Sequence, residues 1–71
     1  MQPSTIQVTV NGEPKQVPSG ESLAALLTKL NIAADRVAIE LNKAIVRKRD
    51  WNETPVPNGS AIEIVEFVGG G

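Results

Sequence analysis

Hydrophobic and polar residues alternate at the start of the chain: Ile6, Val8 and Val10 are separated by Gln7 and Thr9, the period-two pattern of a strand with one face in a core. Asn11-Gly12 follows directly. Both residue types tolerate positive φ, so the dipeptide predicts a tight hairpin, with Lys15 to Val17 returning antiparallel. Pro14 and Pro18 bracket that return segment, and because proline has no N–H to donate, the segment is expected at a sheet edge. The period then changes. Leu23, Leu26, Leu27 and Leu30 recur at helical spacing and leave Thr28 and Lys29 on the opposite side. Ser22 suits the N-cap, Glu21 suits the positive helix end, and Asn31 suits the left-handed residue that closes many helices. A helix this short is marginal alone, so its leucine face must pack on a sheet.

Alternation resumes at Val37, Ile39 and Leu41, and Asn42-Lys43 then predicts a turn into Ala44, Ile45 and Val46. The polar stretch from Arg47 to Thr54 opens with Arg47, Lys48, Arg49 and Asp50, which read as a solvated loop. Trp51 within it reads as a satellite core residue, since one indole without aromatic neighbours makes no stacking platform. Pro55 to Gly59 predicts a turn before a β-branched last strand, Ala61 to Val68. The order strand, strand, helix, strand, strand, strand predicts one α+β domain: a mixed sheet with one main helix packed on one face. Residues 1–68 are expected to form the domain and 69–71 a flexible glycine tail.

The phase of the last strand matters for chemistry. With Ile62 and Ile64 toward the core, Glu63, Val65 and Phe67 face outward. An outward Val65 and the only Phe, followed by Val68 and the glycines, read as a docking patch. Gly69, Gly70 and Gly71 have no Cβ and can thread a narrow channel, reaching roughly 10 Å when extended. The reactive group at such an end is the α-carboxylate. It is a poor acyl electrophile until another enzyme activates it, for example as an acyl-adenylate. Attack by sulfur on that adenylate gives a thiocarboxylate.

Composition narrows the remaining choices. Seven basic and eight acidic side chains give a net charge of −1, which provides no long-range pull toward nucleic acid or an anionic membrane, so the expected partners are proteins. No apolar run approaches the roughly 20 residues needed to span a bilayer, and no basic stretch precedes an apolar one at the N-terminus, so a cytoplasmic setting is expected. The absence of Cys and His removes disulfides, thiol nucleophiles and imidazole bases, and an autonomous enzyme is not expected.

Several phrases together resemble the ubiquitin-like β-grasp sulfur carriers, in particular the ThiS family of thiamin-thiazole carriers. They are Val10-Asn11-Gly12, Ser22-Leu23 with Leu26-Leu27, Val37-Ala38 with Leu41-Asn42, and Ile45-Val46-Arg47 with Trp51. The most specific is Glu66-Phe67-Val68-Gly69-Gly70-Gly71. The resemblance covers nearly the whole chain. It implies that an E1-like adenylyltransferase (ThiF type), using ATP and magnesium, adenylates Gly71, with no cofactor bound by the carrier itself. It further implies a sulfur-relay persulfide protein as donor and a thiazole synthase (ThiG type) as acceptor of sulfur from the Gly71 thiocarboxylate. The molybdopterin-type carriers are the nearest rival, but they tend to carry proline shortly before the terminal Gly-Gly. A ubiquitin-like interaction module or protein modifier is the other alternative.

Overall fold

The computed structural model describes residues 4–67. The first hairpin pairs β1 (Thr5–Val10) with β2 (Glu13–Pro18) in register from Val10 opposite Glu13 to Thr5 opposite Pro18. Asn11 at φ 51° and Gly12 at φ 84° supply the two left-handed residues of a twist-matched two-residue turn. The prolines lie within β2 rather than beside it. Counting from the turn, Pro14 and Pro18 both fall at positions opposite β1 that exchange no ladder hydrogen bonds, so neither missing N–H leaves a gap.

Helix α1 (Leu23–Lys29) begins where the sequence predicts. The Ser22 hydroxyl accepts from the Ala25 N–H at 3.1 Å. It ends in two nested bonds, Ile32 N–H to Leu27 C=O at 3.0 Å and Asn31 N–H to Thr28 C=O at 3.1 Å, with Asn31 at φ 60°. A 3₁₀ turn (Ala34–Arg36) then leads into β3 (Val37–Leu41), and Asn42 and Lys43, at φ 51° and 72°, turn the chain into β4 (Ala44–Val46).

The charged stretch read as a loop is instead a 3₁₀ helix, Lys48–Glu53. Its cause is Trp51, which is buried and whose Nε1–H donates to the Val46 C=O at 2.8 Å, drawing the segment into a tight coil against α1. The turn from Pro55 to Gly59 also hides more than the sequence pattern indicates. Val56 is buried, and its N–H donates to Glu21 C=O while Leu23 N–H donates to Thr54 C=O, each at 3.0 Å.

Strand β5 (Ala61–Glu66) completes a five-stranded sheet in the order β2-β1-β5-β3-β4. It is parallel to β1 and antiparallel to β3, so the sheet is mixed. The last strand was expected to reach Val68. Here β5 ends at Glu66, although the Phe67 N–H still donates to Arg36 C=O at 2.8 Å; Val68 lies outside the described residues. One face of the sheet meets α1. Leu23, Leu26 and Leu27 insert against Ile6, Val8, Val10, Ile39, Ile62 and Ile64, and Leu30 packs at the margin of this core. Among the described residues no helix is long and apolar enough to cross a membrane.

Leu26 and Leu27 are each 1% exposed, so neither can lose its side chain without leaving a cavity. Leu26→Ala should cost roughly 2–5 kcal/mol, much of the stability expected for so small a domain. Denaturant unfolding measures this directly, and a wild-type midpoint would mean that α1 does not hold the core.

Candidate functional site

The candidate site is the end of β5 and the sheet face that α1 does not cover. Among the described residues three large hydrophobic side chains are well exposed, and all three stand on this face: Ile45 at 75%, Val65 at 56% and Phe67 at 57%. Register explains how they meet. Val65 lies opposite Ala38 and Ile45 lies opposite Glu40, while the hydrogen bond from Phe67 to Arg36 continues the same ladder. On the outer face, residues of β3 and β5 alternate with the buried Val37, Ile39, Ile62 and Ile64. Val65 and Phe67 thus point where the sequence phase placed them.

Ile45 is the member that the sequence reading left out. The signal was present, because a two-residue turn at Asn42-Lys43 pairs Leu41 with Ala44 and hence Glu40 with Ile45, which puts Ile45 on the outward face of Glu40. Val68, Gly69, Gly70 and Gly71, read as docking and threading residues and as the site of covalent attachment, lie outside the described residues.

The path of β5 is fixed from both sides by turn asparagines. At its start, Asn42 donates its N–H to Ala61 C=O at 2.7 Å and accepts the Ala61 N–H on its side-chain oxygen at 2.9 Å. Further along, Asn11 donates its backbone N–H to Ile62 C=O at 2.8 Å. Its carboxamide then takes both groups of Ile64, accepting the N–H at 2.8 Å and donating to the C=O at 3.2 Å. The chain of β1 has already turned away at Asn11, so the side chain stands in for the backbone of a strand that has ended. The parallel ladder is thereby carried one step nearer the chain end. A third asparagine, Asn58, accepts the Gln7 N–H at 3.0 Å and steadies the loop that feeds β5.

Chemically this is a presenting surface. Among the described residues there is no group of three or more His, Cys, Asp or Glu able to hold a metal ion. Arg47, which leads into the 3₁₀ segment, and Lys48 and Arg49 within it are exposed, and Arg47 and Arg49 lie beside Ile45.

Comparison with known proteins agrees with this geometry. The ThiS family model matches residues 8–71. The crystal structure of the thiamine biosynthesis protein ThiS from Geobacter metallireducens superposes with a TM-score of 0.82 at 35% identity, covering 93% of this chain and 100% of that one. A protein named thiazole synthase from Magnetococcus marinus is 36% identical over 66 residues, which are 93% of this chain but only 20% of that protein's length. An uncharacterised protein, ycf40, of Porphyra purpurea is 35% identical over 66 residues and is matched over 93% of both chains. The mixed sheet with one helix is the ubiquitin-like β-grasp fold.

Asn11→Gly isolates the role of the carboxamide, because glycine accepts the positive φ of the turn but offers nothing to Ile64. The loss should be about 1–3 kcal/mol, the cost of leaving strand groups unpaired. Amide hydrogen exchange at Ile64 should quicken more than at Ile39. If exchange at Ile64 stays at the wild-type rate, the carboxamide does not hold the strand.

Proposed function

The chain belongs to the ThiS family, and from that premise we infer that it is a sulfur carrier whose reacting group is the carboxylate of Gly71. The observation that carries this reading is the family match itself, which runs from residue 8 through Gly69-Gly70-Gly71. In the proposed sequence an E1-like adenylyltransferase binds the outer sheet face and receives the glycine end. A carboxylate oxygen attacks the α-phosphorus of ATP, with magnesium held by the partner, and pyrophosphate leaves. The terminal sulfur of a persulfide on the relay protein then attacks the acyl carbon and displaces AMP to give an acyl disulfide, and a thiol attacks the relay protein's sulfur, forming a disulfide there and releasing the Gly71 thiocarboxylate. The carrier is a substrate throughout, not a catalyst.

The acceptor in this reading is a thiazole synthase. That a stretch similar to this chain forms 20% of a protein named thiazole synthase supports the thiamin branch over the molybdopterin branch. So does Glu66-Phe67-Val68 standing where molybdopterin-type carriers tend to have proline. Intact mass and C-terminal fragmentation of protein purified with its activating system test the reading, with an oxygen-to-sulfur exchange placed at Gly71 as the expected result. Fragmentation separates that exchange from oxidation of Met1, which adds nearly the same mass.

Phe67, at 57% exposed, contributes little to the core, so Phe67→Ala should weaken binding to the adenylyltransferase by about 2 kcal/mol and leave unfolding nearly unchanged. Calorimetric titration reads the first and thermal melting the second; full affinity in the variant would remove Phe67 from the interface.

Slenderness of the tail is a separate requirement. Gly70→Val sets a branched side chain beside the reacting carbonyl, and one residue added after Gly71 removes the glycine carboxylate. Both proteins should bind the adenylyltransferase yet fail to support pyrophosphate exchange with ATP. Exchange at the wild-type rate in either would end the assignment of chemistry to a threaded Gly71.

A further inference from the structure

The two hairpins are built alike and differ at one informative position. Each turns on a left-handed pair that begins with asparagine, Asn11-Gly12 and Asn42-Lys43, and each turn is flanked by one pair, Val10 with Glu13 and Leu41 with Ala44. The next residue along the outer strand is Pro14 in the first hairpin and Ile45 in the second. Beside a two-residue turn the flanking pair exchanges hydrogen bonds, so the backbone groups of the following residue face away from the hairpin, toward the open edge of the sheet.

At the β2 edge that direction is closed. Pro14 and Pro18 both stand at edge-facing positions and have no N–H to offer, which leaves Gln16 as the one outward donor of the strand. At the β4 edge it is open. Ile45 presents its N–H and C=O there, and Arg47, two residues on with an extended backbone at φ −68° and ψ 146°, turns its N–H to the same side; the Arg47 C=O is taken by the Asp50 N–H at 2.8 Å. The opening is therefore short, and Ile45 and Arg47 also line a groove there with Arg49, Asp50 and Glu53.

An open edge can be protected by shortness and by charge, and β4 has three residues with Lys43 and Arg47 at its ends. Those charges act selectively. An antiparallel strand centred opposite Ile45 sets the residues two positions to either side of its centre against Lys43 and Arg47. A second copy of this chain would set Lys43 against Arg47 twice, which is repulsive, whereas a strand with carboxylates at both positions is attracted. Protection alone would also place a charge or a proline at the centre. That position holds Ile45, at 75% the most exposed large hydrophobic side chain among the described residues.

We propose that the β4 edge takes up one strand of another protein, paired with Ile45 through backbone hydrogen bonds, with an apolar residue opposite Ile45 and an acidic residue two positions to either side. Backbone pairing holds the strand. Carboxylates facing Lys43 and Arg47 and an apolar side chain beside Ile45 select it. The inference uses the hairpin registers alone and does not depend on the sulfur-carrier reading.

The probe is a cyclised hairpin peptide whose free strand reads Glu-Thr-Val-Thr-Glu, titrated into the isotopically labelled full-length chain and followed by NMR. The amide signals of Ile45 and Arg47 should move downfield while that of Gln16 stays in place, and hydrogen exchange at the Ile45 amide should slow. Reversing both charges, to Lys-Thr-Val-Thr-Lys, should raise Kd about tenfold at low salt and by less as salt rises. Ile45→Pro removes the edge donor as Pro14 does in the other hairpin, so it should abolish binding while melting as a folded protein. Ile45→Val keeps the donor and a β-branched apolar side chain and should bind as wild type. Unmoved Ile45 and Arg47 amides at millimolar peptide overturn the proposal. Signals moving only at Val65 and Phe67 overturn it as well, since the peptide then lies on the sheet face and not along its edge. So does an equal Kd for the two peptides, or binding to Ile45→Val as poor as to Ile45→Pro, which would leave side-chain contact as the whole of the interaction.

Discussion

Strand β5 is the member on which everything else depends, because both of its neighbours in the sheet are remote from it in sequence. Pairing with β1 in parallel and β3 antiparallel joins two hairpins that have no other ladder in common. Ile62 and Ile64 of the same strand supply the centre of the core against which the α1 leucines pack. The strand also leads directly into the chain end. The strand at the centre of the scaffold and the terminus proposed to react are therefore one continuous stretch of sequence, and whatever secures β5 in the sheet also anchors Phe67, the last described residue.

The two hairpin turns serve this strand as well as their own hairpins. A two-residue turn with both residues in the left-handed region favours asparagine at its first position for conformational reasons alone. In both turns the same asparagine spends its side chain on β5, Asn42 at Ala61 and Asn11 at Ile64. A residue chosen for its backbone thus also supplies hydrogen bonds that the ladder would otherwise lack, and this couples turn formation to insertion of the central strand.

Much of this architecture was legible in the sequence, for reasons tied to particular residues. Period-two runs at Ile6 to Val10 and Val37 to Leu41, and the leucine spacing from Leu23, report burial directly, so strands, helix and core face follow from them. Val65 and Phe67 inherited their outward phase from Ile62 and Ile64. Non-local causes were hidden. The 3₁₀ helix over Lys48–Glu53 exists because one tryptophan finds the Val46 carbonyl, which a run of charges does not announce. Val56 is flanked by two prolines that signal a turn, and its burial depends on a bond to Glu21 far away in the chain. The Asn11 carboxamide reads as turn chemistry until β5 is placed beside it. The equivalence of Pro14 and Ile45 emerges only when both registers are known.

Parallel pairing of Val10 with Ile62 has a kinetic meaning too. Each hairpin closes over a two-residue turn and can form within microseconds, whereas β5 must return over the long segment after β4 to pair with β3, and across most of the chain to pair with β1. Until that happens the two hairpins are separate pieces. The outer face does not exist either, since Ile45 belongs to one hairpin and Val65 and Phe67 to the returning strand. A partner that recognises this face reads out completed folding, so unfolded or half-folded copies would be passed over without any separate inspection step.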